Sequence, residues 1–337
     1  MKSVALVVPV FNVESYLREC LESITAQTYK NFVAYAINDG STDNSGKILD
    51  EFSRIDNRIR VIHQKNGGVS CARNTALDAI ERDGSFDYVG FVDADDVLLP
   101  SFIETCIKHM RITNSQYSVC GRANFDKKGI KKKSVHLALT TITRDGIYEH
   151  YFRKRSCGHN FEDPTVGFSL FNRIFSTNVI KGIRFDHALR AAEDIKYLLT
   201  VFPNIETGII IPDILYLRRM RYSSITNSID VLNFDWIVGK HFLSQPNTLS
   251  FKARLGLERF LINTWWSCVA KTYQCNPNKT NLEQIKEMHS ELAYIIKIRN
   301  YNFHKKNILF SLGDTFLQFY FNYLRPKKNN HTDSFYK

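Results

Sequence analysis

The stretch FVDADD, Phe91 to Asp96, sets the carboxylates of Asp93, Asp95 and Asp96 directly after an apolar run. In an extended segment, residues two apart share a side. Asp93 and Asp95 are therefore expected to present their carboxylates together. Two such oxygen donors suit Mg2+ or Mn2+, which keep open positions for water and phosphate oxygens. A diphosphate would then be joined to the protein through the ion. The plain alternative is a capping aspartate ahead of a solvated turn, because D-x-D alone is a weak signal. A second acidic pair, Glu193-Asp194, opens the helical stretch EDIKYLLTVF. Such a pair either supplies a general base or favours a helix N-terminus electrostatically. Adjacent helical residues point about 100° apart, so only one of the two is expected to face a substrate.

The elements that must position these groups are legible in the first hundred residues. VALVVPV (Val4–Val10) reads as a buried strand. ESYLRECLESITAQ carries Leu17, Leu21 and Ile24 on one helical face. FVAYAIN is a second strand, STDNSGKILDEFSRI a capped helix, RVIHQ a third strand and VSCARNTALDAIERD a third helix. YVGFVDADD (Tyr88–Asp96) reads as a fourth strand. Regular strand–helix alternation predicts stacked βαβ units and a mainly parallel, Rossmann-like twisted sheet flanked by helices. Ligands of such sheets bind at the carboxyl ends of the strands. The polar clusters fall there: Phe11-Asn12, Asn38-Asp39-Gly40-Ser41, Asn66-Gly67-Gly68 and Asp93–Asp96.

Residues 101–228 are less regular. FDKKGIKKK (Phe125–Lys133) reads as a solvated basic hairpin or loop, and TGIIIPDILYLRRMRYSSIT as strands followed by an Arg-rich turn. From about 230 the pattern is helical to the last residue, 337. The expected organisation is a catalytic domain over 1–228, split into a nucleotide-binding half (1–100) and an acceptor half (101–228), and a helical region over 229–337.

Composition narrows the function classes. With 44% hydrophobic and 23% charged residues, the chain can bury a core and is not a disordered type. Seven cysteines without C-x-x-C pairs fit free thiols in a reducing compartment. No signal peptide is read in MKSVALVVPVFN, and no run of about 18 uncharged apolar residues predicts a spanning helix. Residues 1–100 carry 10 Lys/Arg against 15 Asp/Glu, whereas the remainder carries 35 against 19. Such basic character suits anionic lipid or phosphorylated substrates. Nucleic acid is not expected, because no zinc finger, RNP-type motif or Arg/aromatic repeat accompanies it. Near the end, Leu309, Leu312, Phe316, Phe319 and Tyr323 share a helical face bracketed by Lys305, Lys306, Arg325, Lys327 and Lys328. Such a helix either lies on an anionic membrane surface or packs on the catalytic domain.

VVPVFN, NDGSTDNS, NGGVSCARNTAL and FVDADD occur in this order at successive strand ends. Together they resemble the family 2 glycosyltransferases, inverting enzymes of the GT-A fold. The resemblance is close over residues 3–110 and looser to about 228. It implies a role for each piece. Pro9, Val10, Phe11, Asn12 and Glu14 would flank the base and ribose of a nucleotide. Asp39 would accept a hydrogen bond from uracil, pointing to a UDP-sugar donor, and Arg73 would lie near the nucleotide behind the Asn66-Gly67-Gly68 turn. In Asp93-Ala94-Asp95, Asp93 would hold hydroxyls of ribose or sugar and Asp95 the metal, Mn2+ or Mg2+. Asp194 would be the base, with Glu193 orienting it or binding acceptor, and Arg218 and Arg221 could reach the diphosphate. Phe171, Arg173 and Ala192 depart from the family's usual residues, all on the acceptor side. The expected acceptor is a saccharide or lipid-linked sugar at the cytoplasmic face of the membrane, in surface polysaccharide synthesis. A sugar-phosphate nucleotidyltransferase is the first alternative, although PVFNVESY lacks its Gly-rich basic loop. A non-catalytic nucleotide-sugar binding protein is the second.

Overall fold

The computed structural model of the chain describes residues 3–126, 129–132, 138–153, 169–189 and 192–220. Its strands are β1 (Val4–Val10), β2 (Phe32–Asp39), β3 (Ile59–Gln64), β4 (Tyr88–Phe91), β5 (Val97–Leu98), β6 (Tyr117–Asp126), β7 (Gly129–Lys132), β8 (Thr140–Thr143), β9 (Arg173–Ser176) and β10 (Thr207–Arg219). The helices are α1 (Glu14–Thr25), α2 (Ser45–Ile55), α3 (Val69–Asp83), α4 (Phe102–Ile112), α5 (Arg144–Arg153), α6 (Thr177–Ile180) and α7 (Glu193–Val201).

All ten strands join one sheet of order β3-β2-β1-β4-β9-β6-β10-β5, with β7 on β6 and β8 on β10. The block β3-β2-β1-β4 is parallel, as the strand–helix alternation predicts. Strand β9 is antiparallel to both β4 and β6, and β10 runs parallel to β6. The carboxyl ends of β1, β2, β3, β4, β6 and β10 therefore share one rim, and the chain enters β9 from that same rim. Within the stretch read as a basic hairpin or loop, β7 pairs antiparallel with β6, Asp126 opposite Gly129.

Burial explains the near-continuous apolar strands. Val4, Leu6, Val8 and Val10 of β1 pack with Leu17, Cys20, Leu21 and Ile24 of α1. Phe102, Ile103, Cys106, Ile107 and Met110 of α4 extend the same layer. The alternate residues Ala5 and Val7 are equally buried, so both faces of β1 are covered, as parallel sheets require. Helix α3 covers the second face, touching β1 and β2. It ends at Gly84, whose φ of 69° supplies the left-handed cap.

One expectation needs correction. The fourth strand stops at Phe91, and Asp93–Asp96 is a tight turn closed by the Asp96 N–H on the Asp93 carbonyl. The DADD carboxylates are arranged by a turn and not by strand alternation. A second departure lies in β10, a single long strand with register shifts on either side of Ile214. There Gly121 of β6 faces the bulged backbone so closely that a Cβ would meet the Asp213 carbonyl oxygen at 2.7 Å. Bulges re-aim the side chains beyond them, here Tyr216, Arg218 and Arg219. Gly121→Ala is accordingly expected to lower unfolding free energy by about 1–3 kcal/mol. Urea denaturation measures this, and unchanged stability would contradict the close approach.

The contacts divide the chain into units Met1–Phe260 and Leu261–Lys337. The expected boundary near 228, the helices after 230 and the basic amphipathic segment near the end lie outside the described residues. So does Arg221.

Candidate active site

The rim is built by loops that brace each other. Asn12, at φ 49°, accepts the Thr42 N–H at 2.8 Å, and its own N–H donates to Ser41 Oγ at 3.1 Å. Glu14 accepts from Asn44 N–H and Nδ2 at 2.8 and 2.9 Å. The PVFN turn is thereby pinned to the STDN loop. Pro9 and Val10 continue β1 opposite Ile37 and Asn38, and Phe11 stands 47% exposed at the mouth. An exposed ring at a strand's carboxyl end can cover a flat ligand.

Asp39 is buried and closes the next loop. Its Oδ1 accepts from Gln64 Nε2 at 2.7 Å and Gly67 N–H at 2.9 Å, and its Oδ2 accepts from Gly68 N–H at 2.8 Å. Gly68 has φ 87°, and a Cβ on Gly40 would meet the Asn66 nitrogen at 2.7 Å. Asn66, Gly67 and Gly68 are thus folded around Asp39, a coupling that sequence spacing does not reveal.

The DADD turn is fastened from β10. The Tyr216 hydroxyl accepts the Asp93 N–H at 3.2 Å and donates to Asp96 Oδ2 at 2.8 Å. The Arg219 N–H donates to Asp96 Oδ1 and its Nε to the Asp95 carbonyl, both at 2.8 Å. Burial and the neighbouring Asp93 and Asp95 charges hold the Asp96 carboxyl well above the usual carboxylate range. Asp96 is therefore structural, with both of its oxygens engaged from β10. Ala94 is buried in the same turn. Neither Tyr216 nor Arg219 stood out in the sequence. Their only signal was membership of the Arg-rich strand end that contains Arg218.

Arg73 is the hub of the site. Its side chain is 5% exposed on α3, and it reaches three carboxylates from two distant segments. Nη1 donates to Asp194 Oδ1 at 2.7 Å and to Glu193 Oε1 at 3.0 Å, and Nη2 lies 3.4 Å from Asp93 Oδ1. Phe185 lies under the guanidinium at 5.2 Å and stacks on Tyr197. Burial alone would lower the Arg73 pKa, but Asp194, Asp93 and Glu193 override it and raise it. The sequence reading expected only one member of the Glu193-Asp194 pair to face a substrate, with Glu193 orienting Asp194 or binding acceptor. Both reach the same nitrogen, because the guanidinium sits between them at the first turn of α7.

Asp194 also accepts the Leu170 N–H at 3.3 Å. Burial, countered by Arg73 and reinforced by Glu193 and Asp93, pushes its carboxyl up to about 7. A group poised near neutrality is what a general base needs. Burial likewise raises Asp93, against the pull of Arg73 and Arg218. Ala192, ahead of α7, has φ 60°. Glycine adopts that left-handed region freely, whereas alanine pays about 1–2 kcal/mol, which gives the departure at this position a physical cost. Of the other departures, Phe171 stacks on Tyr216 at 4.8 Å. Arg173 is fully buried and donates from Nε to the Tyr117 hydroxyl at 2.9 Å.

A mainly parallel sheet whose rim collects a glycine-rich loop, an acidic turn and a buried acid–arginine cluster defines an α/β protein with acid–base groups at one end of its strands. The profile of glycosyl transferase family 2 matches residues 5–179, and the chain belongs to that family. It is 34% identical over 228 residues to the glycosyltransferase GlyA of Streptococcus pneumoniae, covering 66% of this chain and 31% of that protein. It is 32% identical over 189 residues to EpsH of Bacillus subtilis, covering 56% of this chain and 51% of that one. The chain thus spans a third to a half of these relatives' length. Its fold is similar to the crystal structure of S. aureus TarS 1-349 in complex with UDP-GlcNAc. The TM-score is 0.66 at 19% identity, over 87% of this chain and 80% of that one. It also resembles the mannosyltransferase PcManGT of Pyrobaculum calidifontis in complex with GDP-Man and Mn2+, with TM-score 0.51 at 14% identity, over 94% and 84% of the two chains. The architecture is of GT-A type.

Proposed function

We propose that the chain is an inverting glycosyltransferase that moves a sugar from a UDP donor to a saccharide or lipid-linked acceptor. One observation carries the reading: a single buried arginine, Arg73, ties the Asp93 end of the acidic turn to the Glu193-Asp194 pair. That is the arrangement a one-step displacement requires. A donor group sits on one side, a base on the other, and rigid spacing separates them.

The acceptor hydroxyl oxygen attacks the anomeric carbon while the bond to the diphosphate breaks. The hydroxyl proton passes to Asp194, and UDP leaves. Arg73 keeps Asp194 oriented through the 2.7 Å hydrogen bond. Asp39, with the loop it closes, is the proposed uracil contact, and Phe11 covers the base.

Among the described residues, no group of three or more His, Cys, Asp or Glu is placed to hold a metal by itself. Asp93 and Asp95 nonetheless suit a divalent ion that completes its shell with phosphate oxygens. Burial, reinforced by the Asp95 charge, raises the Asp93 carboxyl, and a cation would relieve both. Mn2+ or Mg2+ held there would supply positive charge to the departing diphosphate.

Incubation with UDP-sugars, a saccharide acceptor and Mn2+ is expected to release UDP together with a glycoside. Pyrophosphate released from UTP and a sugar 1-phosphate would instead indicate a nucleotidyltransferase, and no product in either mixture a binding protein. Asp95→Asn is expected to weaken Mn2+-dependent UDP binding at least about tenfold. Unaltered affinity in calorimetry would remove the acidic turn from the donor site. No helix among the described residues is long and apolar enough to cross a membrane. A role at the inner face of the membrane, in surface polysaccharide synthesis, is part of this proposal. It is supported by the basic, amphipathic sequence near residues 305–328.

A further inference from the structure

Most arginines around the rim are matched to acids: Arg73 to Asp93, Glu193 and Asp194, and Arg219 to Glu19. Two are not. Among the described residues, neither Arg122 of β6 nor Arg218 of β10 has a carboxylate within ion-pair distance. They lie on neighbouring strands, Arg122 opposite Tyr216 and Arg218 opposite Asn124. In-register parallel partners point to the same face, so both arginines share the face of Tyr216, whose hydroxyl holds the DADD turn.

The surroundings of Arg122 place it beside the base. Its Nη1 donates to Ser169 Oγ at 3.2 Å, and its guanidinium sits over the Phe171 ring at 5.0 Å. Leu170, between those two contacts, gives its N–H to Asp194. Arg122 is thus held by the residues flanking the base's own anchor. Burial, with the like charges of Arg218 and Arg173, pushes its pKa down to about 10. Asp96, the acid whose charge is felt at Arg122, has its two oxygens engaged by Tyr216 and the Arg219 N–H. Desolvated cations without a counter-charge are costly, and a bound oxyanion would offset that cost. The planar guanidinium also matches phosphate or carboxylate through paired hydrogen bonds.

We propose that Arg122 and Arg218 form an anion subsite beside Asp194 that takes a phosphate or carboxylate carried by the acceptor, close to the hydroxyl that reacts. This rests on the transferase reading above and names the acceptor as an anionic saccharide. The donor's own diphosphate is the other source of the same chemistry. The acceptor is favoured because Arg122 is fastened to the base side through Ser169 and Phe171, away from the Asp39 loop.

The test titrates inorganic phosphate into the full chain saturated with UDP and Mg2+, followed by calorimetry. Phosphate is expected to bind the loaded wild type and to bind Arg122→Met at least about tenfold more weakly, with UDP affinity unchanged. Arg122→Lys, which keeps the charge and stem, is expected to fall between them. Thermal melting of both variants checks the fold, and the lysine variant carries the comparison if the methionine one does not fold. Equal phosphate binding in wild type and variants, or none in wild type, overturns the subsite. Loss of phosphate binding on saturation with UDP assigns the arginines to the donor and overturns the acceptor assignment. Failure of the wild type to bind UDP strikes the transferase reading itself, and the acceptor proposal falls with it.

Discussion

Asp194→Asn is expected to cut turnover by about 10^2–10^4-fold while leaving UDP affinity intact. The base is asked to take a proton from a weakly acidic hydroxyl, and an amide cannot. The donor side is spared because Asp194 meets it only through Arg73. The wild-type pH profile follows from the same geometry. With the Asp194 carboxyl pushed up to about 7, the deprotonated, working form is lost as pH falls below that value. Log kcat should therefore rise with unit slope up to about pH 7 and level off above it. Glu193→Gln removes a like charge that raises Asp194, so the ascending limb should move to lower pH. Normal turnover by Asp194→Asn, or a profile flat from pH 5 to 8, would eliminate Asp194 as the base.

Arg73→Met carries the largest expected cost to stability. Removing one partner of a buried ionic cluster typically costs about 3–5 kcal/mol, because the remaining charges stay desolvated. Here Asp93, Glu193 and Asp194 all lose their shared cation. The loss should depend on pH. Without Arg73 the carboxyls, two of them already raised, rise further in the folded state. Groups with raised folded pKa values contribute stability below their unfolded pKa and lose it as pH rises through the folded value. The deficit relative to wild type should be small near pH 4 and grow through pH 7 and beyond. Urea denaturation across that range measures it, and a deficit independent of pH would mean that Arg73 acts by packing on Phe185 alone. Arg73→Lys retains a charge but not the two-nitrogen reach, so intermediate stability is expected.

The parallel half of the sheet was readable because hydrophobic periodicity reports burial directly. Helix α3 spans Val69–Asp83, the stretch its sequence pattern marks, since the two-glycine turn and Gly84 bound it. The DADD segment was legible as a ligand site but not as a shape. Apolar residues up to Val92 look like a continuing strand, and only the Tyr216 and Arg219 contacts from more than a hundred residues away turn it. Those contacts also separate Asp96 from Asp93 and Asp95, which composition cannot do for consecutive acids. Asp39 shows the same division. Its position at a strand end was plain, whereas its hold on Gly67 and Gly68 depends on how two loops meet.

Local pattern by itself determined strands β1–β3, helices α1–α3 and the set of acidic residues at the rim, because side-chain periodicity and turn chemistry act over a few neighbours. Only the tertiary structure decided which acids share a cation, which is held for folding and which arginines are left unmatched. Charge pairing depends on distances through space. The sheet order, with β9 and β10 inserted beside strands far earlier in the chain, sets those distances.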